Sequence, residues 1–127
     1  MSELLPKFNR LIPIIYVRDL DAEVEFYKNF GFEISYEGDE FPGFIALRCE
    51  SFEFGVEAKS DFEPESAQAS FVWQMETDSF SKVRAVCKAK GYKFSEPKCY
   101  WEEWDSWEMQ VQTPNGYTLH FDKHGKD

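Results

Sequence analysis

Apolar and polar positions fall along the chain in short blocks that change period. Leu11 to Val17, LIPIIYV, is a β-branched apolar run of strand length, which reads as a buried strand. Asp19 and Asp21 follow as candidate N-caps. Leu20, Val24, Tyr27 and Phe30 then recur at spacings of four, three and three, the spacing of one helix face. Gly31 stands where a helix-ending glycine stands. Strands are predicted around Phe32–Tyr36, Phe44–Arg48 and Phe52–Glu57. In the last of these, Phe52, Phe54 and Val56 alternate with Glu53, Gly55 and Glu57, so one face is apolar. The polar segment KSDFEPESA from Lys59 to Ala67 reads as a linker.

After that segment the pattern starts again. Ser70–Met75 is predicted as a strand, and Asp78 or Ser79 as the cap of a helix carrying Phe80, Val83, Val86 and Cys87. Gly91 ends that helix, and Tyr92–Ser95 is strand-like. An offset of 60 residues places Gly31 on Gly91 and the first helix on the second. The second half continues through Trp101–Trp107 to a strand from Glu108 to Gln112. Thr113-Pro114-Asn115-Gly116 has strong turn chemistry, and a last strand runs from Tyr117 to Phe121. The expectation is an α+β fold of two βαβββ modules, at about 11–58 and 68–122, in one domain spanning 1–127 and forming a curved, open-barrel mixed sheet.

Composition narrows the function classes. The net charge of −10 repels phosphate backbones and anionic lipid, so neither nucleic acid nor a membrane surface is an expected partner. Aromatic residues make up 18% of the chain, with 13 Phe. Most must fill the core, but a few suffice to line a groove for a flat ligand. Cys49, Cys87 and Cys99 are odd in number without a CxxC spacing, which argues against a disulfide framework or zinc site. Met1 to Arg10 holds no apolar run of signal length, and no segment reaches the length of a membrane span. A cytoplasmic location is expected.

The stretch IPIIYVRDLDAEVEFYKNFGFEISYE resembles the opening of a vicinal oxygen chelate domain, and TPNGYTLHF at 113–121 resembles that superfamily's closing hairpin. The superfamily includes glyoxalase I, dioxygenases and the bleomycin resistance proteins. Its metal-dependent members take ligands from four strands, and the resemblance carries those positions onto Ile12, the neighbourhood of Gly55 and Glu57, Ser70, and His120. Isoleucine cannot ligate, and a divalent ion held tightly needs three or more protein ligands. No metal and no cofactor are therefore expected.

The acidity, length and aromatic stretch YWEEWDSWEM are similar to those of the metal-free bleomycin resistance proteins. That resemblance implies a homodimer that sequesters a small organic ligand, cationic or aromatic, in a groove at the interface, and so antibiotic resistance. The alternative is a glyoxalase- or dioxygenase-like lyase or oxidoreductase using His120 and a carboxylate with a weakly held divalent metal. The candidate ligand contacts are Trp101, Trp104, Trp107, His120, Glu57, Glu108, Phe41 and Phe44. Each has a plainer reading. The tryptophans can pack on the sheet or at an interface, His120 can face partly solvated space, and Phe41 and Phe44 can tuck in beside Pro42-Gly43. No catalytic residue is assigned, because no Ser-His-Asp order, Walker loop, GxGxxG or HExxH occurs.

Overall fold

The computed structural model describes residues 5–65 and 73–126. In the first half, β1 (Ile14–Val17) leads into α1 (Leu20–Asn29), followed by β2 (Glu33–Tyr36), β3 (Phe44–Arg48) and β4 (Glu53–Ala58). The second half repeats the order with β5 (Trp73–Glu76), α2 (Phe80–Lys90), β6 (Lys98–Trp101), β7 (Ser106–Gln112) and β8 (Thr118–His124). A single 3-10 turn, Glu102–Trp104, separates β6 from β7. Each half forms its own four-stranded mixed sheet, ordered β1-β4-β3-β2 and β5-β8-β7-β6. In both, the first and last strands are parallel and the other pairings antiparallel. Neither sheet closes on itself.

Local chemistry sets these boundaries. β1 begins at Ile14 rather than Leu11. Pro13 has no N–H to give a ladder, though its carbonyl accepts from Gly55 N at 2.8 Å. Asp19 caps α1 by accepting from Ala22 N, and Ser79 caps α2 by accepting from Lys82 N. Gly31 and Gly91 both take positive φ, 96° and 76°, where a side chain would be strained.

One expected strand is displaced. Phe94 makes a lone bridge to Val111, and the regular ladder resumes only at Lys98 opposite Glu108, one residue out of step. Pro97 lies in between and has no N–H to keep the ladder continuous. The expected strand from Ser70 is described from Trp73 onward; Ser70 itself lies outside the described residues.

Most of the aromatic excess is core. Phe26, Tyr27, Phe54 and Phe80 are fully buried, and Phe30, Phe32, Phe62 and Phe94 pack against them. Ring contacts weld the halves together: Phe54 lies 4.9 Å from Trp73, Phe26 4.7 Å from Tyr92, and Phe30 5.7 Å from Phe121. No helix among the described residues is long and apolar enough to cross a membrane.

A polar latch joins the halves as well. The turn before β8 brings Asn115 to the start of α1. There its Oδ1 accepts from Arg18 N (3.0 Å) and Asp19 N (2.8 Å), and its Nδ2 donates to Asp19 O (2.8 Å). Asn115 N and Nδ2 both donate to Glu23 Oε1, at 3.1 and 3.0 Å, while Tyr27 OH donates to Glu23 Oε2 at 3.0 Å. Glu23 is wholly buried. Burial pushes its carboxyl above the ordinary 4.5, against the opposing pull of hydrogen bonds from Asn115, Thr113 and Tyr27. Gly116 keeps this turn tight: it sits at φ 95°, and a Cβ there would meet Pro64 O at 2.9 Å.

Candidate functional site

Because the helices cover one face of each sheet, the opposite faces stay open, and strand alternation decides what they carry. On the first sheet Ile15 and Val17 point into the core, so Ile14 and Tyr16 stand on the open face, 48% and 43% exposed. Register places Ile14 beside Gly55, and both Tyr16 and Phe44 beside Glu57. With Glu40, Phe41 and Pro42 from the β2–β3 loop, Ile14, Phe44 and Glu57 line a cavity of about 460 Å³.

Gly55 shapes the floor. A Cβ on it would come within 2.5 and 2.7 Å of ring carbons of Phe44 and 3.3 Å of Ile14. The Phe44 ring therefore lies across the strand where any other residue would hold it off. Tyr36 backs the wall, its ring centroid 6.2 Å from Phe41 and 6.1 Å from Phe44. Further along the same face, Lys59 Nζ sits 4.3 Å above the Tyr16 ring.

The open face of the second sheet is polar. Leu119 and Phe121 of β8, with Met109 and Val111 of β7, are buried, which leaves His120, Glu108 and Gln110 on the other side. His120 Nδ1 lies 3.1 Å from Glu108 Oε2, the two side chains being 22% and 25% exposed. Gln110 Nε2 donates to Glu108 Oε1 at 3.3 Å. Gln74 of β5 and Gln110 of β7 flank His120 in register. The carboxylate beside His120 is thus Glu108, and Glu57 belongs to the other sheet.

The tryptophans divide. Trp101 and Trp104 stand at the β6–β7 connection, 52% and 60% exposed, with ring centroids 5.5 Å apart and planes tilted by 47°. The chain's end steadies this loop: Gly125 N donates to Asp105 O at 2.8 Å, and His124 Nδ1 lies 2.8 Å from Trp104 O. Trp107 shares the face of Met109 and Val111 and packs against the core. Its indole N–H donates to Asp105 Oδ1 at 2.7 Å. So Phe41, Phe44 and Glu57 meet in one cavity, His120 and Glu108 form a pair on the second sheet, and Trp101 and Trp104 form an exposed pair at its end.

Ile14 and Glu40 complete the cavity lining without standing among the sequence's candidates, and Tyr36 and Gly55 lie behind it. Gly55 carried a usable signal, being a lone glycine in an alternating strand, which marks a close approach of another group.

The superfamily's metal is not matched by the donors present. The corresponding positions hold Ile12, Gly55 with Glu57 two residues on, Ser70 and His120, so two of the four offer no carboxylate, imidazole or thiolate and a third offers one only through its neighbour Glu57. Among the described residues no group of three or more His, Cys, Asp or Glu is arranged to hold an ion. No step through a metal follows from these residues.

Two βαβββ modules with their first and last strands parallel and their sheets unclosed define the vicinal oxygen chelate class of fold. The chain belongs to the glyoxalase superfamily: a family model described as glyoxalase superfamily protein matches residues 2–127. A search of curated proteins finds no match. Among solved structures, the chain is similar to a bleomycin resistance determinant encoded on the transposon Tn5, with TM-score 0.72 and 18% identity over 92% of this chain and 98% of that one. It is also similar to a bleomycin-binding protein complexed with bleomycin, with TM-score 0.69 and 19% identity over 91% and 98%. A third, the bleomycin-binding protein of Streptomyces verticillus complexed with copper(II)-bleomycin, gives TM-score 0.66 and 20% identity over 92% and 97%. At these identities the likeness establishes the fold.

Proposed function

We propose that this protein binds and sequesters a small organic molecule, cationic or aromatic, on the open faces of its sheets, as a metal-free homodimer in the cytoplasm. The observation that carries the reading is the cavity of Ile14, Phe41, Phe44 and Glu57. Its walls are Ile14, Pro42 and the rings of Phe41 and Phe44, and its polar groups are the two carboxylates of Glu40 and Glu57, the make-up of a small-molecule site. The net charge of −10 favours approach of cations from bulk solvent. Similar folds in proteins that bind bleomycin support antibiotic sequestration as the physiological role.

A twofold partner completes the site in this reading. Ile14, Tyr16, Phe41, Tyr100, Trp101 and Trp104 are large apolar residues exposed together with open sheet faces, and a closed dimer is the commonest way to cover such surface. A second copy would bring Trp101 and Trp104, with His120 and Glu108, toward the cavity of the first sheet. Sedimentation at micromolar concentration should give twice the 15.0 kDa chain mass; a monomer would remove the interfacial groove.

Thermal-shift screening against antibiotics, organic cations and thiol conjugates tests the binding role. A ligand present at a hundred times its Kd stabilises the folded state by about 2.7 kcal/mol, so an antibiotic or organic cation should raise the melting temperature clearly. A response to thiol conjugates alone would point instead to glutathione-linked chemistry.

The 3.1 Å contact of His120 with Glu108 favours a second reading, an acid–base enzyme of the same fold. Elemental analysis after dialysis separates its metal-dependent form from the binding role. The expected result is no stoichiometric zinc, nickel, iron or manganese, and one equivalent per chain would place His120 at a reactive centre.

A further inference from the structure

We infer that the cavity on the first sheet receives an alkylated ammonium group, the charged head of a tertiary or quaternary amine, held between Phe41, Phe44 and Glu57. This rests on the binding role proposed above and specifies which part of a ligand that cavity takes.

Charge selects a cation. Two of the six lining residues, Glu40 and Glu57, are carboxylates, and none is basic. The nearby cations are engaged elsewhere on the same half: Arg10 with Glu53, Arg48 with Glu33, and Lys59 over the Tyr16 ring. That last contact sets an ammonium 4.3 Å from an aromatic ring beside the cavity.

The walls select an alkylated cation over a guanidinium or primary ammonium. A guanidinium carries five N–H donors and a primary ammonium three, and of the lining side chains only the Glu40 and Glu57 carboxylates can accept them, Ile14, Phe41, Pro42 and Phe44 offering none. A methylated nitrogen has given up most of those donors and spreads its charge over carbon surface. It is thus suited to the faces of aromatic rings, which attract cations within about 6 Å of the centroid. Phe41 and Phe44 supply two such rings. Both rings contact Tyr36, tilted to it at 58° and 49°. Gly55 makes room for the Phe44 ring, which occupies the space that a Cβ would fill at 2.5 Å.

The test titrates the full-length protein with choline and, separately, with choline's uncharged carbon isostere, following amide and aromatic side-chain NMR signals. Choline is expected to shift the signals of Phe41, Phe44, Gly55 and Glu57 and to bind about tenfold tighter than the isostere. Glu57→Gln and Phe44→Leu should each remove most of that preference. Gly55→Ala, which displaces the Phe44 ring from its place across the strand, should weaken choline while leaving the rest of the spectrum folded. Should Gly55→Ala disturb folding, Glu57→Gln, which keeps size and hydrogen bonding, decides alone. Equal binding of choline and isostere at these residues would overturn the ammonium assignment and leave a small-molecule cavity standing. Choline shifts scattered over surface carboxylates, or none, would overturn it too. Failure of the binding role itself would read differently, as no melting-temperature response to any compound in the wider screen.

Discussion

Glu23→Ala should lower folding stability by about 3–5 kcal/mol, a large share of the roughly 5–15 kcal/mol that holds an ordinary domain. The truncation removes the acceptor for Asn115 N, Asn115 Nδ2, Tyr27 OH and the Thr113 side chain. Each buried donor left alone costs about 1–3 kcal/mol. It also loosens the turn that ties the second sheet to the start of α1. Glu23→Gln should behave differently, and differently again with pH. Its amide oxygen can keep both Asn115 bonds, and Tyr27 OH can turn to accept from its amide nitrogen. In the parent, burial raises the folded-state pKa of Glu23 above the ordinary 4.5. The stabilising contribution of that protonated carboxyl is fully present below 4.5 and is lost as pH rises through the raised folded value. The difference between Glu23→Gln and parent should therefore shift in the variant's favour from acid toward neutral pH. Urea unfolding of both proteins on either side of that range checks this. A pH-independent difference, or an alanine variant as stable as the parent, would show that the latch does not work as its geometry implies.

Alanine replacement of the tryptophans should separate binding from packing. Trp101 and Trp104 are more than half exposed, so Trp101→Ala and Trp104→Ala should leave the melting temperature nearly unchanged. If their faces stack on the bound molecule, each loss should weaken binding of the best screening compound roughly 5- to 150-fold, from about 1–3 kcal/mol per stacked ring. Trp107→Ala should do the reverse. Its ring packs on the core beside Met109 and Val111, and its N–H bonds to Asp105, so unfolding should move to markedly lower denaturant while affinity holds in the protein that stays folded. Titration calorimetry beside urea unfolding gives both numbers for each variant. Unchanged affinity in Trp101→Ala and Trp104→Ala would take that pair out of the site.

Much of this architecture could be read from the residues because its signals are local. β3 runs from Phe44 to Arg48 as the pattern implied, and both helices start at the capping residues and end beside the glycines that sequence chemistry marks. What was not legible depends on distant partners. Glu23 looks like an ordinary solvent-facing helix residue until Asn115, 92 residues later, arrives beside it. Pro97 displaces β6 by a register slip that periodicity does not record. The site shows the same divide. Phe41, Phe44, Glu57, His120 and Glu108 stand out one by one as candidates from alternation, turn chemistry and the family resemblance. Their sorting onto two open faces comes from strand pairing. Trp107 could have been assigned to the core face from its alternation with Met109 and Val111, but its place in an aromatic run obscured that.

The most direct test of the binding role is an amide-resolved NMR titration with the tightest compound from the thermal-shift screen. Ligand-induced shifts should concentrate on Ile14, Phe44, Gly55 and Glu57 of the first sheet and on Glu108 and His120 of the second. Shifts confined to the helix-covered sides, around Phe30, Phe52 and Val83, would contradict a site on the open faces, as would the absence of any saturable shift.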